Sequence, residues 1–126
     1  MLNLNSIFIG SSQPKELASF YEKLFGRPSE MPGSDGSEDM GYGWLVGNTF
    51  LSIGSHSDIN GKAKEPQRII LNIETEDVKE EYARAVKLGA TSIKEPYEME
   101  GMWIATLADP DGNYFQFMTP WDQYNS

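Results

Sequence analysis

The spacing of apolar and polar positions changes several times along the chain, and each change marks an element. Leu2 to Gly10 is apolar with partial alternation, stops at Gly10-Ser11-Ser12, and predicts a strand. A helix is then expected from Ser12 or Gln13, with Pro14 in its first turn. Leu17, Phe20, Tyr21, Leu24 and Phe25 recur at helical spacing, and Gly26 supplies the stop. Arg27 to Asp39 is rich in Gly, Pro, Ser and acid and predicts a loop, with a short strand near Pro28-Met31. Tyr42 to Val46 and Thr49 to Ile53 are short strands, joined by Gly47-Asn48 as a two-residue turn needing positive φ.

Ser55 to Gln67 is polar and reads as a linker, after which the pattern repeats. Arg68 to Glu74 is a strand around Ile69-Ile70-Leu71-Asn72-Ile73. Thr75 is placed to cap a helix carrying Val78, Tyr82, Ala85 and Val86, ended by Gly89. Ser92-Ile93-Lys94 before Pro96, Met102 to Ala108 and Tyr114 to Thr119 are strands, with Asp109-Pro110-Asp111-Gly112-Asn113 as a turn. The helix stripes and glycine stops align at a separation of about 61–63 residues, and Trp44 and Trp103 fall in similar places. The rhythm predicts one domain over 1–126 made of two βαβββ modules, about 1–57 and 66–121.

Composition narrows the chemistry. Cysteine is absent, which removes disulfides, thiolate zinc sites and cysteine nucleophiles, and the single histidine, His56, removes any site built on two. A net charge of −9 repels phosphate backbones and anionic membranes, so neither nucleic acid nor a membrane is an expected partner. No apolar run approaches the roughly 20 residues that span a bilayer. The N-terminus lacks a basic stretch before an apolar one, so cytoplasm is the expected compartment.

Three familiar patterns fail on inspection. Asp109, Asp111 and Asn113 imitate the start of a calcium loop, yet Tyr114 stands where a glycine is required and Pro120 where the bidentate acid belongs. Gly41-Tyr42-Gly43 has no helix behind it to cradle phosphate. No nucleophile elbow surrounds Ser52, Ser55 or Ser57 beside His56.

Four stretches in register carry a family resemblance: Phe20-Tyr21-Glu22-Lys23-Leu24-Phe25-Gly26, Ile73-Glu74-Thr75-Glu76-Asp77-Val78, Leu88-Gly89-Ala90, and Asp109-Pro110-Asp111-Gly112-Asn113-Tyr114-Phe115-Gln116. Over nearly its whole length the chain resembles the vicinal-oxygen-chelate superfamily, which holds glyoxalase I, extradiol dioxygenases, fosfomycin-resistance enzymes and bleomycin-binding proteins. The resemblance implies an α+β fold in which paired βαβββ modules curl eight strands into a curved, U-shaped mixed sheet around a cavity, helices outside. It also implies a homodimer. The reaction does not follow from the fold.

In metal-dependent members four cavity-facing strand positions bear His or Glu. Carried over, these fall on Ser6, Ile70, Gln116 and, to within one residue, Ser52, a set unable to hold a divalent ion. The expectation is therefore a small-molecule-binding protein of the bleomycin-resistance kind, with no cofactor and no metal-dependent catalysis. Alternatives are a lyase, isomerase or dioxygenase with an atypical metal site at His56 or the acids Glu74, Glu95, Glu98 and Glu100, and a metal-free enzyme using Glu74 as a base.

Strand alternation selects the candidate ligand contacts. Leu4, Ser6 and Phe8 share a face, as do Phe50 and Ser52, Ile70, Asn72 and Glu74, and Tyr114, Gln116 and Met118. With Trp44 and Trp103 as bulky wall residues, the expected contacts of a small organic ligand are Ser6, Phe8, Trp44, Phe50, Ser52, Asn72, Trp103 and Gln116. The stretch Met99-Glu100-Gly101-Met102 is expected to form a rim over the opening.

Overall fold

Both helices and most of the strands form where the alternation places them. Of the second helix's expected stripe only Val78 and Ala85 are buried, while Val86 is 41% exposed. The computed structural model describes residues 2–31 and 41–121. The chain divides into two compact units, Met1–Gly61 and Lys62–Ser126. Among the described residues there are two α-helices and seven strands in two open mixed sheets, an α+β architecture.

The first unit runs β1 (Ser6–Gly10), α1 (Pro14–Phe25), β2 (Tyr42–Val46) and β3 (Thr49–Gly54). Its sheet has the order β1-β3-β2, with β1 parallel and β2 antiparallel to β3. α1 forms because Pro14 fits the first turn and because Leu17, Ala18, Phe20, Tyr21 and Leu24 bury one stripe. It ends at Gly26, whose φ of 73° is the left-handed cap that a side chain would strain. Gln13 occupies the N-cap without a side-chain capping hydrogen bond, and the Ser11 hydroxyl accepts the Gln13 N–H. No strand forms at Pro28-Met31, but this segment follows the edge of β2. The Glu30 N–H donates to the Gly43 carbonyl and the Gly43 N–H donates to the Ser29 hydroxyl. The expected loop from 32 to 39 lies outside the described residues. At the β2–β3 hairpin Gly47 takes the positive φ, 61°, and Asn48 does not need it.

The second unit contains a 3₁₀ turn (Pro66–Arg68), β4 (Ile70–Glu74), α2 (Val78–Lys87), β5 (Thr91–Met99), β6 (Met102–Ala108) and β7 (Tyr114–Met118). The sheet order is β4-β7-β6-β5, with only β4 and β7 parallel. Three expectations are corrected here. Asp77, not Thr75, is the N-cap of α2: its carboxylate accepts the Glu80 N–H, while Thr75 Oγ1 accepts the Asp77 N–H one turn earlier. β5 runs straight through Pro96, because it is an edge strand and its pairing with β6 shifts register between Lys94 and Tyr97. β1 starts at Ser6 and β4 at Ile70, later than their apolar runs begin, so Leu4 and Ile69 remain exposed.

Each helix covers one face of its own sheet. In the first unit that face carries Trp44, Leu51 and Ile53; in the second it carries Ala105, Leu107, Phe115 and Phe117. No described helix is long and apolar enough to cross a membrane.

Candidate functional site

Register decides which side chains share a face, because residues paired across neighbouring strands point the same way. In the second unit Asn72 pairs with Gln116 and Gln116 with Thr106, and Lys94 on β5 pairs with Thr106 in turn. The four form a polar row across the sheet, on the face away from α2. Rows of Ile104 with Met118 and of Ala108 with Tyr114 flank it. Three of its members are joined: the Thr106 hydroxyl donates to Gln116 Oε1 at 2.8 Å, and Gln116 Nε2 donates to Asn72 Oδ1 at 2.7 Å. Thr106, at 8% exposure, is the buried middle of the row, which passes through half-buried Gln116 to exposed Asn72 on one side and reaches exposed Lys94 on the other. Glu74 is exposed on the same face, at the end of β4 beside Met118. The Lys94 ammonium lies 5.2 Å over the Tyr97 ring.

The first unit repeats this geometry with different chemistry. Its row is Gly43, Ser52 and Phe8, with Leu45, Phe50 and Ser6 paired alongside. Phe8 is 54% exposed and Phe50 half-buried, and their rings lie across glycines. A Cβ on Gly43 would stand 2.7 Å from Phe50 Cζ and 2.8 Å from Met31 Sδ, and one on Gly54 3.1 Å from Phe8 Cε2. The glycines therefore let the two rings settle onto the sheet. Gly43→Ala is expected to push the Phe50 ring off its seat and cost about 1–3 kcal/mol. Urea denaturation gives the cost, and ring-current shifts of the Met31 methyl report the displacement. Unchanged shifts would mean that the ring does not rest on Gly43.

Both tryptophans lie on the other side of their sheets. Trp44 is opposite Leu51, not beside Phe50 and Ser52, and is fully buried under α1. Its ring meets Phe25 edge-on at 5.6 Å and its indole N–H donates to the Arg27 carbonyl at 3.0 Å. Trp103 shares the α2 side with Ala105 and Leu107, and Lys79 Nζ lies 4.1 Å over its ring. The register also makes Leu107, not Trp103, the counterpart of Trp44, since each pairs with the strand residue preceding the Ser52 or Gln116 position. The structure thus groups Ser6, Phe8, Phe50 and Ser52 on one face of the first unit and Asn72, Gln116 and Glu74 on one face of the second. Thr106, Lys94 and Tyr97 join the second group.

His56 is exposed in a turn after β3. Its Nδ1 accepts the Asp58 N–H at 3.1 Å and its carbonyl accepts the Ile59 N–H, so the ring closes the turn. Among the described residues no three His, Asp or Glu side chains gather as a metal would need. The four strand positions that the resemblance assigns to a metal do not fit one. Ile70 has no donor atom, and the Ser52 hydroxyl turns to the Ile7 carbonyl at 3.4 Å. The Gln116 amide is engaged at both ends. Met99-Glu100-Gly101-Met102 is a tight β5–β6 hairpin in which Glu100 (φ 54°) and Gly101 (φ 84°) both take left-handed backbone.

Two mixed sheets, each backed by one helix, repeat the strand-helix-strand order of a βαβββ module. A family model for the glyoxalase-like domain matches residues 6–118. The chain belongs to this family, within the vicinal-oxygen-chelate superfamily. Solved structures agree on the fold. A glyoxalase/bleomycin resistance protein/dioxygenase family enzyme from Burkholderia phytofirmans PsJN superposes with a TM-score of 0.73 at 23% identity, covering 94% of this chain and 98% of that one. A member of the same superfamily from Sphaerobacter thermophilus DSM 20745 gives 0.72 at 20%, covering 95% and 98%. TnmS3, an antibiotic binding protein from Streptomyces sp. CB03234, gives 0.68 at 19%, covering 95% and 97%. No curated protein matches the chain.

Proposed function

We propose that the chain binds a small organic molecule without a metal, in the manner of the bleomycin-resistance branch of its superfamily, and that it does so as a cytoplasmic homodimer. The observation that carries this reading is the state of Gln116. At a position where the resemblance places a His or Glu of the metal enzymes, it offers a neutral amide whose carbonyl accepts from Thr106 and whose NH₂ donates to Asn72. Such a group orients a ligand by hydrogen bonds and does not charge-balance a cation. Apolar Ile104, Met118 and Ala108 flank these polar atoms on the same face, a mixture of groups that small-molecule sites use. The similar fold of an antibiotic binding protein is in keeping with this.

The test combines metal analysis with thermal shift. Protein purified without chelator or histidine tag is expected to carry no stoichiometric Zn, Ni, Fe or Mn, and to show no stabilisation by these ions. A panel of small planar molecules is expected to yield binders that stabilise by about 2.7 kcal/mol at a hundredfold excess over Kd. Near-stoichiometric metal would overturn the reading and direct attention to His56 and the acids Glu95, Glu98 and Glu100. Catalysis by Glu74 is the second reading, favoured by its place on the Asn72 face. Turnover of a bound compound that Glu74→Gln abolishes would replace binding with it.

A further inference from the structure

On the α2 side of the second sheet, a cleft of about 300 Å³ lies between the first turn of α2 and the Trp103–Thr119 pair. Glu76, Asp77, Val78 and Lys79 line it from the helix, Trp103 and Thr119 from the sheet. Its walls are fixed. Val78 is buried, the Trp103 N–H donates to Thr119 Oγ1 at 2.9 Å, and the Thr119 N–H donates to the Trp103 carbonyl at 3.1 Å. The Trp103 ring already carries a cation, for Lys79 Nζ stands 4.1 Å from its centroid. Lys79 is the second residue of α2, where the positive end of the helix disfavours an ammonium. An attraction within the cleft outweighs that end: the indole face, with the carboxylates of Glu76 and Asp77 lining the same space.

We infer that this cleft is a separate binding site for a small organic cation of the quaternary-ammonium class, and that Lys79 occupies the cation's place on Trp103 until such a ligand displaces it. The exchange favours the ligand. A primary ammonium is strongly hydrated, and Lys79 is exposed, so leaving the ring returns it to water and frees its rotamers. A quaternary ammonium donates no hydrogen bonds to water and loses less by settling on indole, the best aromatic face for a cation. Once Lys79 has moved aside, the charged groups lining the cleft are two carboxylates, and the net charge of −9 favours a cation's approach. An anion would meet those carboxylates instead. The volume suits a head group, being at the low end for small-molecule sites. The cleft lies on the opposite face of the sheet from the Asn72 row, so it stands or falls apart from the reading proposed above.

Two probes of one shape separate charge from size: choline, and neohexanol, in which carbon replaces the nitrogen. Each is titrated into the full chain and followed by NMR at the tryptophan indole N–H signals. Choline is expected to shift the Trp103 signal and leave that of buried Trp44 in place, and neohexanol to shift neither. Lys79→Ala, which removes the resident ammonium, is expected to tighten choline about two- to five-fold, the worth of one exposed cation–π contact. Trp103→Leu is expected to weaken it at least as much. Asp77→Asn keeps a good helix cap while removing the charge, and is expected to weaken choline about two-fold. Lys79 is exposed, so Lys79→Ala carries the comparison if Trp103→Leu does not fold. A Trp103 signal that ignores choline, equal affinity for the two probes, or choline binding that Lys79→Ala leaves unchanged or weakens would each overturn the inference.

Discussion

Replacing Trp44 by alanine is expected to cost about 3–5 kcal/mol of stability, read as a lower urea midpoint at unchanged slope. Trp44 is 0% exposed, and its ring fills the space between β2 and α1 against Phe25. Truncation leaves a cavity there that close-packed neighbours can only partly fill. It also strands the Arg27 carbonyl, which accepts the indole N–H. Trp44→Phe is expected to recover most of the loss, since the ring remains and only the hydrogen bond goes. The experiment also decides the residue's role. A stability loss under about 1 kcal/mol together with lost ligand binding would return Trp44 to the ligand wall, against its position under α1.

That position was within reach of the sequence. Tyr42-Gly43-Trp44-Leu45-Val46 is apolar on both faces, so alternation alone cannot choose a side. The neighbouring turn can. A two-residue loop at Gly47-Asn48 sets Val46 opposite Thr49 and hence Trp44 opposite Leu51, away from the Ser52 face. The same reasoning from the Asp109–Asn113 turn puts Leu107 opposite Phe115 and Thr106 opposite Gln116. Alternation sufficed where one face was clearly polar, as for Asn72 and Glu74 in β4. Lys94 was beyond reach, because β5 shifts register on both sides of it and an irregular strand gives no parity to count from. The seat of Phe50 was equally hidden. Gly43 within β2 reads as a weak strand residue until its neighbour's ring is seen to occupy the missing side chain's place.

Asp109→Ala is expected to cost about 2–4 kcal/mol and, with it, the hydrogen-bonded row of Thr106, Gln116 and Asn72. Asp109 is 4% exposed, and one oxygen, Oδ1, accepts the backbone N–H groups of Asp111 at 2.9 Å and Asn113 at 3.0 Å. The Asn113 side-chain amide donates to Oδ2 at 3.1 Å. Alanine leaves these donors without their acceptor in a turn already closed by Gly112 at φ 84°. This turn joins β6 to β7, and their register is what brings Thr106 onto Gln116. A slip of one residue would swing Gln116 to the α2 side and put Phe115 in its place. Loss of stability and displacement of the Asn72 and Gln116 side-chain amide NMR signals are therefore expected together in Asp109→Ala. In Asp109→Asn, which keeps an oxygen acceptor, less than half of the loss is expected, with the amide signals of Asn72 and Gln116 unmoved. A folded Asp109→Ala that keeps the Asn72 and Gln116 side-chain amide signals in place would show that strand pairing holds the row without the turn. The hydrogen bonds of the row itself would then be what fixes β6 against β7.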